Sequence, residues 1–180
     1  MDPFGTNAIV GFRGQNSWLS TWTRNPVMGF PTMEHAYQAL KSPDKAEEIR
    51  KIDHPKNIPR VVVLGFDREA GLRTVIREAF RIASPMAGRL LATGDKLLVS
   101  TEDVWRGFHI ARNGYIRGYN LYGKLLMEHR EFLRAQVAKI VPMQRRWREA
   151  LVNPAYEICR RVCAKEFDEI SKELSKRAIA

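Results

Sequence analysis

The sequence predicts a predominantly helical α+β fold with a small sheet. Apolar residues recur at helical spacing along much of the chain, and short apolar, partly β-branched segments lie between the helical stretches. The chain has 180 residues, 44% of them hydrophobic, which is enough for one domain with a substantial core. We predict that this domain spans residues 1–138, and that residues 139–180 form a basic helical C-terminal extension.

Three short segments are predicted to be strands. Residues 8–12, 27–30 and 96–100 are largely apolar and partly β-branched. An aromatic, hydroxyl-rich loop over residues 16–22 connects the first two. Residues 101–119 show no sustained periodicity, so we predict a long functional loop there.

The first helix is predicted to begin after Thr32, which is a good N-cap residue. Its apolar side chains at helical spacing face the core, and they are Met33, Ala36, Tyr37 and Leu40. Glu34, Gln38 and Lys41 are thereby placed together on a neighbouring face.

Other helices are predicted from their capping residues and apolar periodicity. They begin near Ser42, Asp67, Ser84 and Leu121. The tail from Pro142 is predicted to form two further helices, interrupted at Asn153 and Pro154.

The charge of the chain favours an anionic partner, and a merely basic soluble surface is the alternative explanation. Thirty Lys and Arg against twenty Asp and Glu give a net charge of +10, which attracts phosphate esters, nucleotides or nucleic acid. No apolar stretch approaches the roughly 18 residues of a membrane span, and no secretory signal is visible, so we expect a cytoplasmic protein without a membrane partner. The histidines are scattered and no nucleotide-binding glycine motif occurs, so neither a metal nor a cofactor is predicted.

Two acidic positions are candidates for catalysis. Glu34 lies in the first helical turn, where a carboxylate is stabilised by the helix dipole, although on position alone an ordinary helix-start glutamate is the commoner case. Glu102 and Asp103 precede Trp105 at the end of a predicted strand. Two carboxylates around a sugar are the usual groups for cleaving a glycosidic bond. Residues 106–130 hold five Lys and Arg, one acid and several aromatics, which fits a nucleotide-binding wall or a plain basic loop.

Four blocks of the sequence resemble the NADAR family. Residues 32–41 match its Thr-x-Glu-His-x-x-Gln-x-x-Lys helix, and residues 90–99 match its Leu-Leu-Ala-Thr-Gly segment and strand. Residues 120–130 are similar to its Asn-x-x-Gly-x-x-Leu-Met-x-x-Arg helix. Residues 103–107 resemble its Asp-x-x-Trp-Gly site, with one residue fewer between Asp and Trp and with Arg106 inserted before the glycine.

The resemblance implies an N-glycosidase, because the family includes enzymes acting on riboflavin-pathway intermediates and enzymes removing ADP-ribose from guanine in DNA. It implies Glu34 as the catalytic glutamate with Asp103 and Trp105 as partners, and Glu102 is the alternative second acid. The substrate-binding candidates are Asn16, Trp18, His35, Gln38, Lys41, Glu102, Arg106, Gly107, Asn120 and Gly123.

Several substrates and functions remain open from the sequence. The basic charge favours an ADP-ribosyl group on guanine in nucleic acid, DNA or RNA, since affinity for a polyanion grows with the number of phosphates neutralised. A phosphorylated riboflavin-pathway intermediate is the alternative substrate. The rival functions are a module that binds NAD or ADP-ribose without cleaving it, and a nucleic-acid-binding protein that acts through its basic tail.

Overall fold

The structure is a computed structural model that describes residues 7–12, 14–59, 63–101, 106–110 and 116–153, with four single residues of the tail at 155, 157, 161 and 165. The chain divides into two units, residues 1–134 and 135–180. The predicted α+β class is confirmed, and the candidate site lies in the first unit.

The described strands form three two-stranded sheets. They are β1 (Ala8–Val10), β2 (Arg24–Val27), β3 (Phe30–Thr32), β4 (Leu97–Val99), β5 (Phe108–Ile110) and β6 (Ile116–Gly118). Strands β1 and β4 are parallel, with Ile9 opposite Leu98. The pairs β2–β3 and β5–β6 are antiparallel hairpins.

Two strand predictions need correction. The single strand predicted over residues 27–30 is wrong, because this segment is the turn of the β2–β3 hairpin. Met28 and Gly29 both have positive φ angles, 53° and 79°, as a two-residue type I′ turn requires. The long loop predicted over residues 101–119 is also wrong in part, because β5 and β6 pair within it. Three-residue strands are too short to show alternation in the sequence.

The helices of the structure are α1 (Met33–Lys41), α2 (Ala46–Arg50), α3 (Arg68–Ala79), α4 (Pro85–Ala92) and α5 (Leu121–Val152). Short 3₁₀ helices occupy Gly14–Leu19, Pro43–Lys45 and Pro55–Asn57. The N-cap predicted at Thr32 and the helix starts predicted near Asp67 and Ser84 are confirmed, because these side chains accept backbone N–H groups of His35, Ala70 and Ala87. The side-chain cap predicted at Ser42 is wrong, since its side chain makes no capping hydrogen bond. The helix predicted after Ser42 is shorter than expected, because its first turn is 3₁₀.

Helix α5 continues through Pro142, so the helix start predicted there is wrong. A proline inside a helix lacks the N–H that would bond to the carbonyl four residues earlier. Strong helix formers such as Ala138, Lys139, Gln144 and Arg145 on both sides keep the helix intact. In the ranges that the structure describes, no helix combines the length and apolarity needed to cross a lipid bilayer.

Helix α1 lies at the centre of the first unit. It contacts α2, α3 and the β2–β3 hairpin, and all of residues 33–39 are buried. A helix that is buried on every side is usually apolar throughout. Here the buried residues include Glu34, His35 and Gln38, whose polar atoms must therefore find partners inside the protein.

Candidate active site

Glu34 is held at the start of α1 by the backbone around it. The side chain of Thr32 caps the helix, and the backbone N–H of Glu34 donates to the carbonyl of Thr21 at 3.0 Å. This places the carboxylate in the first helical turn, where the helix dipole favours negative charge.

The carboxylate of Glu34 forms a buried ion pair with Arg106. Nη1 of Arg106 donates to Oε2 at 2.5 Å, and Nη2 donates to Oε1 at 3.2 Å, which is a two-pronged contact. The side chains of Arg106 and Glu34 are only 10% and 9% exposed. Both charges have thus been removed from water and depend on each other for compensation.

Two neutral side chains also donate to the carboxylate. Nε2 of Gln38 contacts Oε1 at 2.7 Å, and Oγ1 of Thr21 contacts Oε2 at 3.3 Å. Oε1 of Gln38 in turn accepts from Nζ of Lys41 at 3.2 Å. The predicted shared face of Glu34, Gln38 and Lys41 is thereby confirmed, and it forms one continuous chain of hydrogen bonds.

These contacts set the ionisation of Glu34. Burial by itself raises the pKa of its carboxyl group, but the charge and hydrogen bonds of Arg106 lower it, as do the hydrogen bonds from Gln38 and Thr21. The lowering contributions prevail, and the pKa of Glu34 lies below its ordinary value. Glu34 is therefore a carboxylate at neutral pH.

Arg106 is positioned by its backbone and by an aromatic ring. Its carbonyl accepts the backbone N–H of Tyr122 at 2.8 Å, so the residue is attached to the first turn of α5. Its guanidinium carbon lies 4.9 Å from the ring centroid of Tyr37. The sequence analysis gave Arg106 only as a substrate-binding candidate, and in the structure its guanidinium binds the catalytic candidate Glu34.

The candidates at the start of α5 connect this helix to strand β4. The side chain of Asn120 accepts from the N–H of Ser100 at 2.9 Å and donates to the carbonyl of Leu98 at 2.8 Å. At Gly123 a Cβ atom would lie 2.1 Å from the same carbonyl oxygen, so only glycine allows this close approach. Gly107 is buried, and its carbonyl accepts the N–H of Asn120 at 3.2 Å.

Other sequence candidates have their own partners in the first unit. The ring nitrogens of His35 contact Oγ1 of Thr32 at 2.7 Å and the carbonyl of Ile52 at 2.8 Å. Because a carbonyl can only accept, Nε2 of His35 carries a proton and donates to Ile52.

Trp18 and Asn16 belong to the 3₁₀ helix Gly14–Leu19. The ring of Trp18 packs edge-on against Phe80, with the guanidinium carbon of Arg89 4.6 Å from the Trp18 ring centroid. Glu102, Asp103 and Trp105, the remaining site candidates, lie outside the described residues.

Sequence reasoning missed two members of the site. Thr21 was counted only as part of an aromatic loop, and Tyr37 only as a core residue. The run of hydroxyl residues near Thr21 was a weak signal of a hydrogen-bonding role. Tyr37 is indeed buried, at 3% exposure, but it also faces the guanidinium of Arg106.

Within the described ranges, no three His, Cys, Asp or Glu side chains lie close enough together to hold a metal ion. The functional groups described at this site are one ionised carboxylate, two cationic side chains, two neutral hydrogen-bond donors and one aromatic ring. They belong to Glu34, Arg106 and Lys41, Gln38 and Thr21, and Tyr37. Together they carry a net positive charge, which suits the binding of a polar, anionic ligand.

Comparison with known proteins defines the class of fold. No protein-family model matches the chain, and no curated protein matches it in sequence. Its three-dimensional structure is nevertheless of the NADAR-like α+β class, which confirms the fold expected from the resemblance.

A solved structure supports this assignment. The chain is similar to the NMR structure of the E. coli protein YbiA, a member of the NADAR family, with a TM-score of 0.57 and 26% sequence identity. The match covers 72% of this chain and 86% of that protein.

Proposed function

We propose that the chain is an N-glycosidase that hydrolyses the bond between C1 of a phosphorylated ribose and a nitrogen base. The observation that carries this proposal is the buried, ionised carboxylate of Glu34 in a NADAR-like fold. Burying a carboxylate costs free energy of desolvation, and ionisable groups with shifted pKa values are concentrated at functional sites.

The ionisation of Glu34 narrows its role. Cleavage of an N-glycosidic bond passes through a ribosyl group with positive charge at C1, while the base departs with the bonding electrons. A carboxylate whose pKa is lowered does not donate a proton at neutral pH. Glu34 would instead stabilise the cationic ribosyl group or orient the attacking water. Asp103, or alternatively Glu102, would assist protonation of the base, and Trp105 would hold its ring.

For the substrate, we propose an ADP-ribosyl group on guanine in DNA or RNA. The net charge of +10 supports a polyanionic partner over a small metabolite. A riboflavin-pathway intermediate is the alternative, because a single phosphate needs only one or two cations such as Arg106 and Lys41.

A second candidate function is a module that binds NAD or ADP-ribose without cleaving it. It is favoured by the ion pair itself, since Arg106 compensates the charge that catalysis would need from Glu34. The two candidates differ in turnover and not in binding.

Mass spectrometry of released base and ADP-ribose separates them. The assay offers an ADP-ribosyl-guanine oligonucleotide, NAD and riboflavin-pathway intermediates to the wild type and to Glu34→Gln. We expect turnover of one substrate class, and a loss of at least about 100-fold in the variant, because an electrostatic partner of the transition state is removed.

Glu47→Gln is the matched control, since Glu47 is an exposed glutamate that also pairs with an arginine, Arg50, at 2.7 Å. Its turnover should equal that of the wild type. Unchanged turnover in Glu34→Gln would refute the catalytic role, and ligand binding without turnover by the wild type would favour the binding module.

A further inference from the structure

The ion pair between Glu34 and Arg106 raises a question about the resting site. Arg106 is the residue that interrupts the sequence block resembling the NADAR site, and it lies against the carboxylate that the resemblance implies is catalytic. A positive charge beside Glu34 opposes the stabilisation of a ribosyl cation by the same carboxylate. For the proposed reaction, Arg106 must therefore change partner when substrate binds.

The anchoring of Arg106 permits such a change. Its backbone carbonyl is bonded to the N–H of Tyr122, and its guanidinium lies over the ring of Tyr37, and neither contact involves the carboxylate. The guanidinium can thus be taken over by another anion while the residue remains in the site. A pyrophosphate group or a phosphate monoester is a suitable competitor, because it carries more charge than a carboxylate and accepts two parallel hydrogen bonds from arginine.

Glu34 also keeps support if Arg106 is taken from it. Gln38 and Thr21 donate to its two oxygens, at 2.7 and 3.3 Å, and the first turn of α1 favours its charge. Nζ of Lys41 donates to Gln38, which donates to the carboxylate, so a second positive charge lies close to the place that an incoming phosphate would take.

We propose that Arg106 is the specificity-determining residue of this site, and that a phosphate group of the substrate displaces the Glu34 carboxylate from its guanidinium. This inference rests on the proposed N-glycosidase function for its catalytic consequence. When a phosphorylated riboside binds, the Glu34 carboxylate is then no longer paired with Arg106 and can face the ribosyl cation. Dephosphorylated ribosides leave the ion pair closed and react slowly.

The exchange is tested by titrating pyrophosphate in a calorimeter, which needs no turnover. The proteins are the wild type, Glu34→Gln, Arg106→Gln and the double variant, each checked for folding by circular dichroism. We expect Glu34→Gln to bind pyrophosphate more tightly than the wild type, by about 5- to 150-fold as is typical of coupled sites, because its competitor has been removed. In a protein that already carries Arg106→Gln, adding Glu34→Gln should increase the affinity for pyrophosphate very little.

The binding cycle has outcomes that overturn the proposal. If Glu34→Gln increased the affinity for pyrophosphate equally with and without Arg106, Glu34 would only repel the anion through space. No tightening at all would mean that carboxylate and phosphate do not compete. Arg50→Gln is the matched control, since Arg50 is an exposed arginine paired with Glu47. The affinity of this variant for pyrophosphate should equal that of the wild type.

Turnover provides the second test. With whichever substrate the wild type cleaves, we compare kcat and KM for the phosphorylated and dephosphorylated forms in wild type, Arg106→Lys and Arg106→Gln. The wild type should prefer the phosphorylated form in kcat, and Arg106→Gln should lose that preference. A preference that persists in both variants would refute the role of Arg106. If the wild type cleaves nothing, the proposed function fails, while the binding cycle still decides the exchange.

Discussion

Replacing Arg106 by glutamine should destabilise the protein in a strongly pH-dependent way. The substitution leaves Glu34 buried without its cation. Two unit charges about 4 Å apart attract by about 4 kcal/mol at an effective dielectric constant of about 20. Removing one partner of a buried ion pair costs about 3–5 kcal/mol, which agrees with that figure. We expect this loss in the free energy of unfolding at pH 7.

The sign of the pH dependence follows from the pKa of Glu34. In the wild type this pKa is lowered, so the carboxylate contributes stability above the unfolded pKa of about 4.3. This contribution is lost as the pH falls through the folded value. In Arg106→Gln, burial raises the pKa of Glu34 above its ordinary range, so the variant loses stability as the pH rises through that raised value. The stability difference between the two proteins is therefore greatest at neutral pH and shrinks toward pH 4, where the variant carboxyl is protonated and no longer costs stability. It disappears only below the lowered pKa of the wild-type carboxyl.

Urea unfolding followed by circular dichroism, from pH 4 to pH 8, measures this difference. With m values of about 1–3 kcal/mol/M, the midpoint at pH 7 should fall by roughly 2 M. The double variant Glu34→Gln/Arg106→Gln should recover much of the loss, because replacing both members of a buried pair by neutral groups is often tolerated. A deficit that does not change with pH would refute this account of the pair.

Two further substitutions test the packing around the site. Gly123→Ala should destabilise by about 1–3 kcal/mol or more, because its Cβ meets the carbonyl of Leu98, whereas the control Gly88→Ala has open space and should stabilise α4 by up to about 1 kcal/mol. Equal thermal midpoints for these two variants would contradict the structure. Tyr122→Phe removes a hydroxyl that donates to the carbonyl of Leu19 at 2.6 Å. It should cost about 1–3 kcal/mol in urea unfolding, and an unchanged midpoint would speak against this bond.

Helix starts were predictable because a cap is a local signal. Thr32, Asp67 and Ser84 each stand before an apolar pattern of period 3.6, and each caps its helix in the structure. The β2–β3 hairpin was not predictable in the same way. Methionine is an unusual residue at positive φ, so Met28 before Gly29 does not resemble the Asn-Gly turns that mark such hairpins.

The site was predictable within one helix but not across the chain. Helical spacing alone placed Glu34, Gln38 and Lys41 on one face, and the hydrogen bonds join them in that order. The partner of Glu34 was not predictable, because Arg106 lies 72 residues away and no local pattern relates the two. Arg106 was predicted to bind a ligand because the sequence shows its positive charge but not that this charge is paired with Glu34.

The start of α5 has a consequence for how this protein can recognise an anion. Many proteins bind phosphate through the backbone N–H groups at the beginning of a helix. Here the N–H groups of Asn120 and Tyr122 already donate to the carbonyls of Gly107 and Arg106. In the function proposed above, anion recognition next to these two N–H groups falls to side chains, chiefly those of Arg106 and Lys41. Since a side chain can be replaced without moving the backbone, ligand preference here can change by single substitutions while the fold remains the same.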